Sequence, residues 1–319
     1  MAGERASVST LVTPLAEMRA QRSALRRALY LLWRNRLGLL GAVVLSLVTL
    51  GAILAPVLSP HDPMTGDITK RLTCPVLTRC PAFLPGATPV RGSLEHPLGT
   101  DQLGRDIFAR IVHGARVSLI VGLAAVLLGA GFGSTLGLLS GYYGGRVDAV
   151  IMRIGDLFLA FPYLLLAIAI VAVLGGGLFN VIVVLAIATW VPYARIMRGS
   201  VLSAKEREYV IAARAIGVRD ATLVFRHIAP NCVSPIIVFG TFNVAAAIIA
   251  EAGLSFLGLG VGATRPTWGN MLADGRAYVA TAWWLATFPG LAIMLTVLAI
   301  NMIGDWLRDA LDPHLRNIE

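Results

Sequence analysis

Charge is scarce in this chain and cysteine scarcer. Asp, Glu, Lys and Arg make up 14% of its 319 residues, against about a quarter in ordinary soluble domains, which excludes a freely soluble globular protein. The only lysines are Lys70 and Lys205, and the chain contains no GxxxxGK[ST] phosphate loop. It therefore has no evident means of binding and hydrolysing ATP. GxSxG, HExxH and Cys/His metal clusters are missing too, which argues against an enzyme and against a cofactor or metal held by this chain.

Apolar length is plentiful. The sequence is 56% hydrophobic with a mean hydropathy of +0.74, the composition of a membrane protein. A net charge of +9 could signal nucleic acid, but the basic residues gather at the edges of apolar runs, where the membrane explains them. Six runs reach the roughly 20 helical residues that cross a bilayer, at about 37–58, 117–140, 152–174, 178–197, 232–252 and 284–304. Residues 1–36 carry Arg5, Arg19, Arg22, Arg26, Arg27, Arg34 and Arg36 against Glu4 and Glu17, so this tail is expected to stay cytoplasmic as part of a retained anchor. Parity then predicts that both termini and the 198–231 loop are cytoplasmic, and that 59–116 is an external loop.

The expected external loop is broken by Pro60, Pro63, Pro75, Pro81, Pro85 and Pro89, which predicts little regular structure. Cys74 and Cys80 lie in it; a small disulfide ring is the favoured reading and a pair of free thiols the alternative. Cys232 is left over as a buried thiol. Thr100 or Asp101 can cap a helix in which Ile107, Phe108, Ile111 and Val112 form a stripe opposite Arg105, Asp106 and Arg110, predicting an interfacial helix. His96 and His113 have no clustered partner in sequence, which argues against a metal or proton-relay role.

Gly129, Gly133, Gly137 and Gly141 recur at i, i+4, forming a smooth ridge suited to close helix packing inside the chain or against a second subunit. Tight turns are expected at 142–148 and 175–177. Pro162, Pro192 and Pro289 are hinge candidates or helix-end residues. Glu251, at the end of the fifth run, is a possible gate or substrate contact, close enough to the surface to be hydrated or paired.

The organising stretch is EREYVIAARAIGVRDATLVFRHIAPN, residues 206–231. Tyr209, Ala212, Ala213 and Ile216 fall on one face of a helix. Gly217 suits its left-handed C-terminal residue, and Asp220 can cap a second helix that stops at or before Pro230. The small Ala212/Ala213 patch reads as a docking knob or as an ordinary loop packed on its own protein.

The wording EYVxAARAxG and RHIxPN resembles the coupling loop of permease subunits in ABC-type importers, in their dipeptide/oligopeptide/nickel branch. Residues 96–122 resemble the entry segment of the C-type subunit. Leu254–Gly260, Pro266–Arg276 and Asn301–Arg316 resemble the same family, with Trp306 where Gly is more usual. Ile211 replaces the loop's eponymous Glu, and Ala229 the usual Leu. This resemblance implies an all-α, six-helix, type I ABC importer permease fold, with core 117–304 and tail 305–319. It further implies a second homologous permease subunit, two ATP-binding subunits that carry ATP and Mg, an external solute-binding protein, membrane lipid around the spans and no nucleic acid. The ATPase-coupling residues would be Glu208, Tyr209, Ala212, Ala213, Gly217, Arg226 and Pro230. Di- or oligopeptides are the implied solutes, with nickel the runner-up; an ion-coupled transporter would need charges in mid-span, and these are nearly absent.

Overall fold

A computed structural model describes residues 32–76, 78, 92–262 and 264–311. Among them the only bridge is an isolated pairing of Thr100 with Asp106, and all other regular structure is helical. Helix α1 (Arg36–Ile53) begins where the Asn35 side chain accepts the Gly38 N–H, and a further turn, α2 (Ala55–Leu58), extends it. Leu40 and Leu47 on α1 are 51% and 64% exposed. Leucines turned outward on a helix without a single acidic residue suit hydrocarbon rather than water.

Helix α3 (Ile107–Tyr143) runs 37 residues without interruption, so the expected interfacial helix and second span are one element. No proline stands between Pro97 and Pro162, and nothing stops the helix until Gly144 and Gly145 adopt φ of +64° and +52°. The expected third span is, by contrast, two helices. Helices α4 (Gly145–Leu159) and α5 (Tyr163–Leu174) meet at 91°. Pro162 lies in the break, lacking the N–H that would continue α4 and disfavouring helical backbone at Phe161.

Helix α6 (Leu178–Ala204) follows a Gly turn, and α7 (Glu208–Ala215) opens the hairpin. After a helical turn at Asp220–Thr222, the chain passes through π geometry at Leu223–Ile228 and 3-10 geometry at Ala229–Cys232 into α8 (Val233–Phe256). Helices α9 (Trp268–Gly275) and α10 (Trp284–Leu311) complete the described chain. Among the described residues, five helices are individually long and apolar enough to span a membrane, and the α4/α5 pair makes a sixth crossing when counted together.

Two glycine-lined helix interfaces set the layout. On α3, a Cβ at Gly133 or Gly137 would fall 2.2 Å from the carbonyl oxygens of Trp190 and Ala194 on α6, and one at Gly129 would fall 2.7 Å from Thr189. Gly141 faces Val201 and Arg198. The four glycines thus face α6 of the same chain, where close backbone approach replaces the hydrophobic drive that lipid cannot provide. On α1, Gly38 would place a Cβ 2.9 Å from Trp306 and Gly41 one 2.7 Å from the Ala299 carbonyl of α10. Trp306 stands on the glycine surface of α1.

Candidate functional site

The 206–231 hairpin folds because its two ends have different chemistry. At the α7 terminus Gly217 has φ +80°; its N–H donates to the Arg214 carbonyl, and the Val218 N–H to that of Ala213. These bonds form a Schellman motif, and Val218 and Ala213 both pack on one buried cluster. Asp220 does not cap the following turn. It is the first helical residue after Arg219, and its carboxylate accepts the Tyr142 hydroxyl of α3.

Val210, Leu223, Val224 and Ile228 point inward and pack with Met197, Val201 and Leu138. Of the Ala212/Ala213 patch, Ala213 is half-buried on that cluster and Ala212 is exposed. The outward face holds Tyr209, Ala212 and Ile216, the last 82% exposed, beside Ile211 and Phe225. Gly217, Arg226 and Pro230 are also exposed, as is Glu208, which begins α7 in the favourable acidic position at a helix N-terminus. The second arm does not stop at Pro230. Missing its N–H, that residue is absorbed into the 3-10 turn, and the arm runs on into α8.

Polar ties anchor this hairpin to the bundle. Lys205 donates to the Gly141 carbonyl at 3.2 Å, and Arg214 lies 5.9 Å over the Tyr142 ring. Beneath it, Arg198 donates through Nε and a terminal nitrogen to the two oxygens of Asp148, which also accepts the Ser140 hydroxyl. Asp148, Met152, Asp156, Arg195 and Arg198 line an open cavity of about 410 Å³ between α4 and α6.

The opposite end of α3, roughly 55 Å away along its axis, carries a second polar assembly that sequence reasoning missed. Asp101 accepts from Arg105 and Arg110, and Asp274 of α9 accepts from the same two guanidiniums at 3.0 Å each. Asp101, Arg105 and Arg110 are buried, so Arg105, Asp106 and Arg110 do not form the exposed side of an interfacial helix. Asp106, not Thr100 or Asp101, caps α3, accepting the Ala109 N–H at 2.8 Å. Trp268 and Trp284 add indole bonds to the Ile111 and Thr100 carbonyls. Matched charges in two polar stretches, DQLGRDIFAR and ADGR, were the available signal.

Glu251 is fully buried within α8, not hydrated at its end; the Ser255 hydroxyl donates to it at 2.7 Å and the Ser118 hydroxyl of α3 at 3.3 Å. Cys232 is a buried free thiol. Cys74 is buried and disulfide-bonded, while Cys80 lies outside the described residues. The N-terminal tail up to residue 31 and residues 312–319 lie outside them as well.

Residues 133–317 match the family described as binding-protein-dependent transport system inner membrane component, and residues 23–75 match the N-terminal TM domain of oligopeptide transport permease C. The dipeptide transport system permease protein DppC of Alkalihalophilus pseudofirmus is 44% identical over 92% of this chain and 90% of its own length. The di/tripeptide transport system permease protein DppC of Pseudomonas aeruginosa is 44% identical over 89% of this chain and 90% of its own. The glutathione transport system permease protein GsiD of Pectobacterium atrosepticum is 51% identical over 70% of this chain and 75% of its own.

Proposed function

This chain belongs to the family of binding-protein-dependent transport system inner membrane components, and from that premise we propose that it forms half of an ATP-driven import path for short peptides. It is a multi-pass permease component of an ABC importer in the bacterial inner membrane. The other half of the path is a second, related permease; two ATPase subunits bind ATP and Mg, and an external solute-binding protein delivers the peptide. The observation that carries the solute assignment is the 44% identity to a dipeptide permease over 92% of this chain.

Coupling runs through the hairpin. Its outward apolar face is built on a buried inner face, so a force applied at Tyr209, Ala212 or Ile216 reaches α3 and α6 through Val210, Leu223 and the Tyr142–Asp220 bond. The N-terminal and C-terminal tails lie on the same, cytoplasmic side as this hairpin. Glutathione, itself a tripeptide, is the second reading, favoured by the 51% identity to GsiD.

Deleting the gene in its host and measuring uptake of labelled dialanine, glutathione and nickel separately tests the assignment. Dialanine uptake is expected to fall to background and return on complementation. Intact dialanine uptake alongside lost glutathione or nickel uptake overturns the dipeptide reading.

A further inference from the structure

We propose that His61, Glu95 and His96 form a binding site for a divalent transition-metal ion in the segment between α2 and α3. His61 is remote from the other two in sequence, yet one donor atom from each residue lies within 4.8 Å of the others. The two imidazole rings stand 4.9 Å apart between centroids, tilted by 45°.

The chemistry of His96 assigns its donor atom. Nδ1 lies 3.2 Å from Asp106 Oδ1, and a carboxylate accepts rather than donates, so Nδ1 is engaged as the donor and Nε2 is the nitrogen left to turn toward an ion. That Nε2 faces Glu95 Oε1 at 4.0 Å. A carboxylate fixing the far nitrogen of a ligating imidazole is the arrangement that orients histidine in metal sites. Asp106 is itself held by the Ala109 N–H of the α3 cap, so His96 is anchored to the start of the longest helix. His96 is 6% exposed, His61 half-buried and Glu95 exposed, which leaves a path for the ion to enter.

Two imidazoles and one carboxylate suit zinc, nickel or copper(II) better than magnesium or calcium. Bonds of about 2.0 to 2.2 Å at tetrahedral angles place donors roughly 3.4 Å apart, so the three side chains must close inward by an ångström or so. Glu95 supplies that movement. It accepts from Lys70 Nζ at 2.7 Å across a solvent-exposed ion pair. Lys70 is accordingly the competitor that the ion displaces, and a fourth coordination position stays open to water. Occupied, the site would tie the residues just after the first span to those just before α3.

The test uses the full-length chain, purified in detergent on a histidine-free tag and stripped with chelator. Zn²⁺ and Ni²⁺ are then titrated by calorimetry, and retained metal is counted by mass spectrometry after dialysis. One ion per chain is expected. His61→Ala and Glu95→Gln should each weaken binding by about tenfold or more, while Lys70→Met should tighten it by freeing Glu95. Metal-free His61→Ala should melt at the wild-type temperature, showing that it folds. No retained metal, or wild-type affinity in both His61→Ala and Glu95→Gln, overturns the proposal.

Discussion

Gly217 and Ile216 are neighbours whose substitution should have opposite signatures. Gly217 sits at φ +80° with open space around the position of a Cβ, so replacement strains only the backbone. An L-residue held in left-handed geometry costs about 1 to 2 kcal/mol, more for a β-branched one, and Gly217→Val should lower both the melting temperature and solute uptake. Ile216 makes its contribution outward. Ile216→Glu should leave membrane abundance and melting temperature unchanged yet weaken ATPase association, scored by co-purification; wild-type co-purification and uptake would remove the outward face from the coupling surface. Ala213→Arg is a poorer probe than its small side chain suggests. It places a charge at a half-buried position on the cluster that holds Val210 and Val224, where an unpaired charge is costly, so it should destabilise the hairpin as well as uncouple it. At Cys74 the expected outcome is a peptide mass lacking two hydrogens when the protein is isolated without reductant; two free thiols on Cys74 and Cys80 would refute that pairing.

At the level of helices, the glycine ridge was legible because its period of four is unrelated to any other demand on α3. Its partner was not, since the same ridge could serve a second subunit. Tertiary packing supplies α6, and the distances predict the outcome: Gly133→Leu should reduce membrane abundance sharply in an immunoblot, with Gly131→Leu, whose Cβ meets nothing within 4 Å, as the tolerated control. The prolines teach the reverse lesson. Pro162, Pro192 and Pro289 look alike in sequence, yet only Pro162 marks a break, while Pro192 and Pro289 lie inside continuous α6 and α10. Pro162 and Phe161 are exposed; Pro289 is buried and Pro192 half-buried, so neighbouring helices hold those two elements together around the missing hydrogen bond. The Arg105/Arg110 clamp should behave as a buried ion-pair network. Arg110→Ala leaves the Asp101 carboxylate, 1% exposed, with Arg105 as its remaining guanidinium partner and should cost about 1 to 3 kcal/mol, read as a lower melting temperature of the detergent-solubilised chain.

For the whole molecule, orientation is the outstanding expectation. With native cysteines removed, an impermeant thiol reagent applied outside the cell should label Ser93→Cys and spare Lys205→Cys. Labelling at 205 from outside would invert the topology and detach the hairpin from any cytoplasmic ATPase. Membrane class, the number of apolar runs and the hairpin were all legible in the sequence because each rests on local quantities: run length, residue period, and a glycine where a helix must end. What depends on residues distant along the chain was not. Burial of Glu251 against Ser118, neutralisation of Arg105 and Arg110 by Asp274, and the meeting of His61 with His96 each join separate elements. Hydropathy assigns a charged residue to the surface by default, because an isolated charge is costly to bury. Only the tertiary structure decides that the compensating partner is present, and with it whether a charge is a solvated edge or part of the interior.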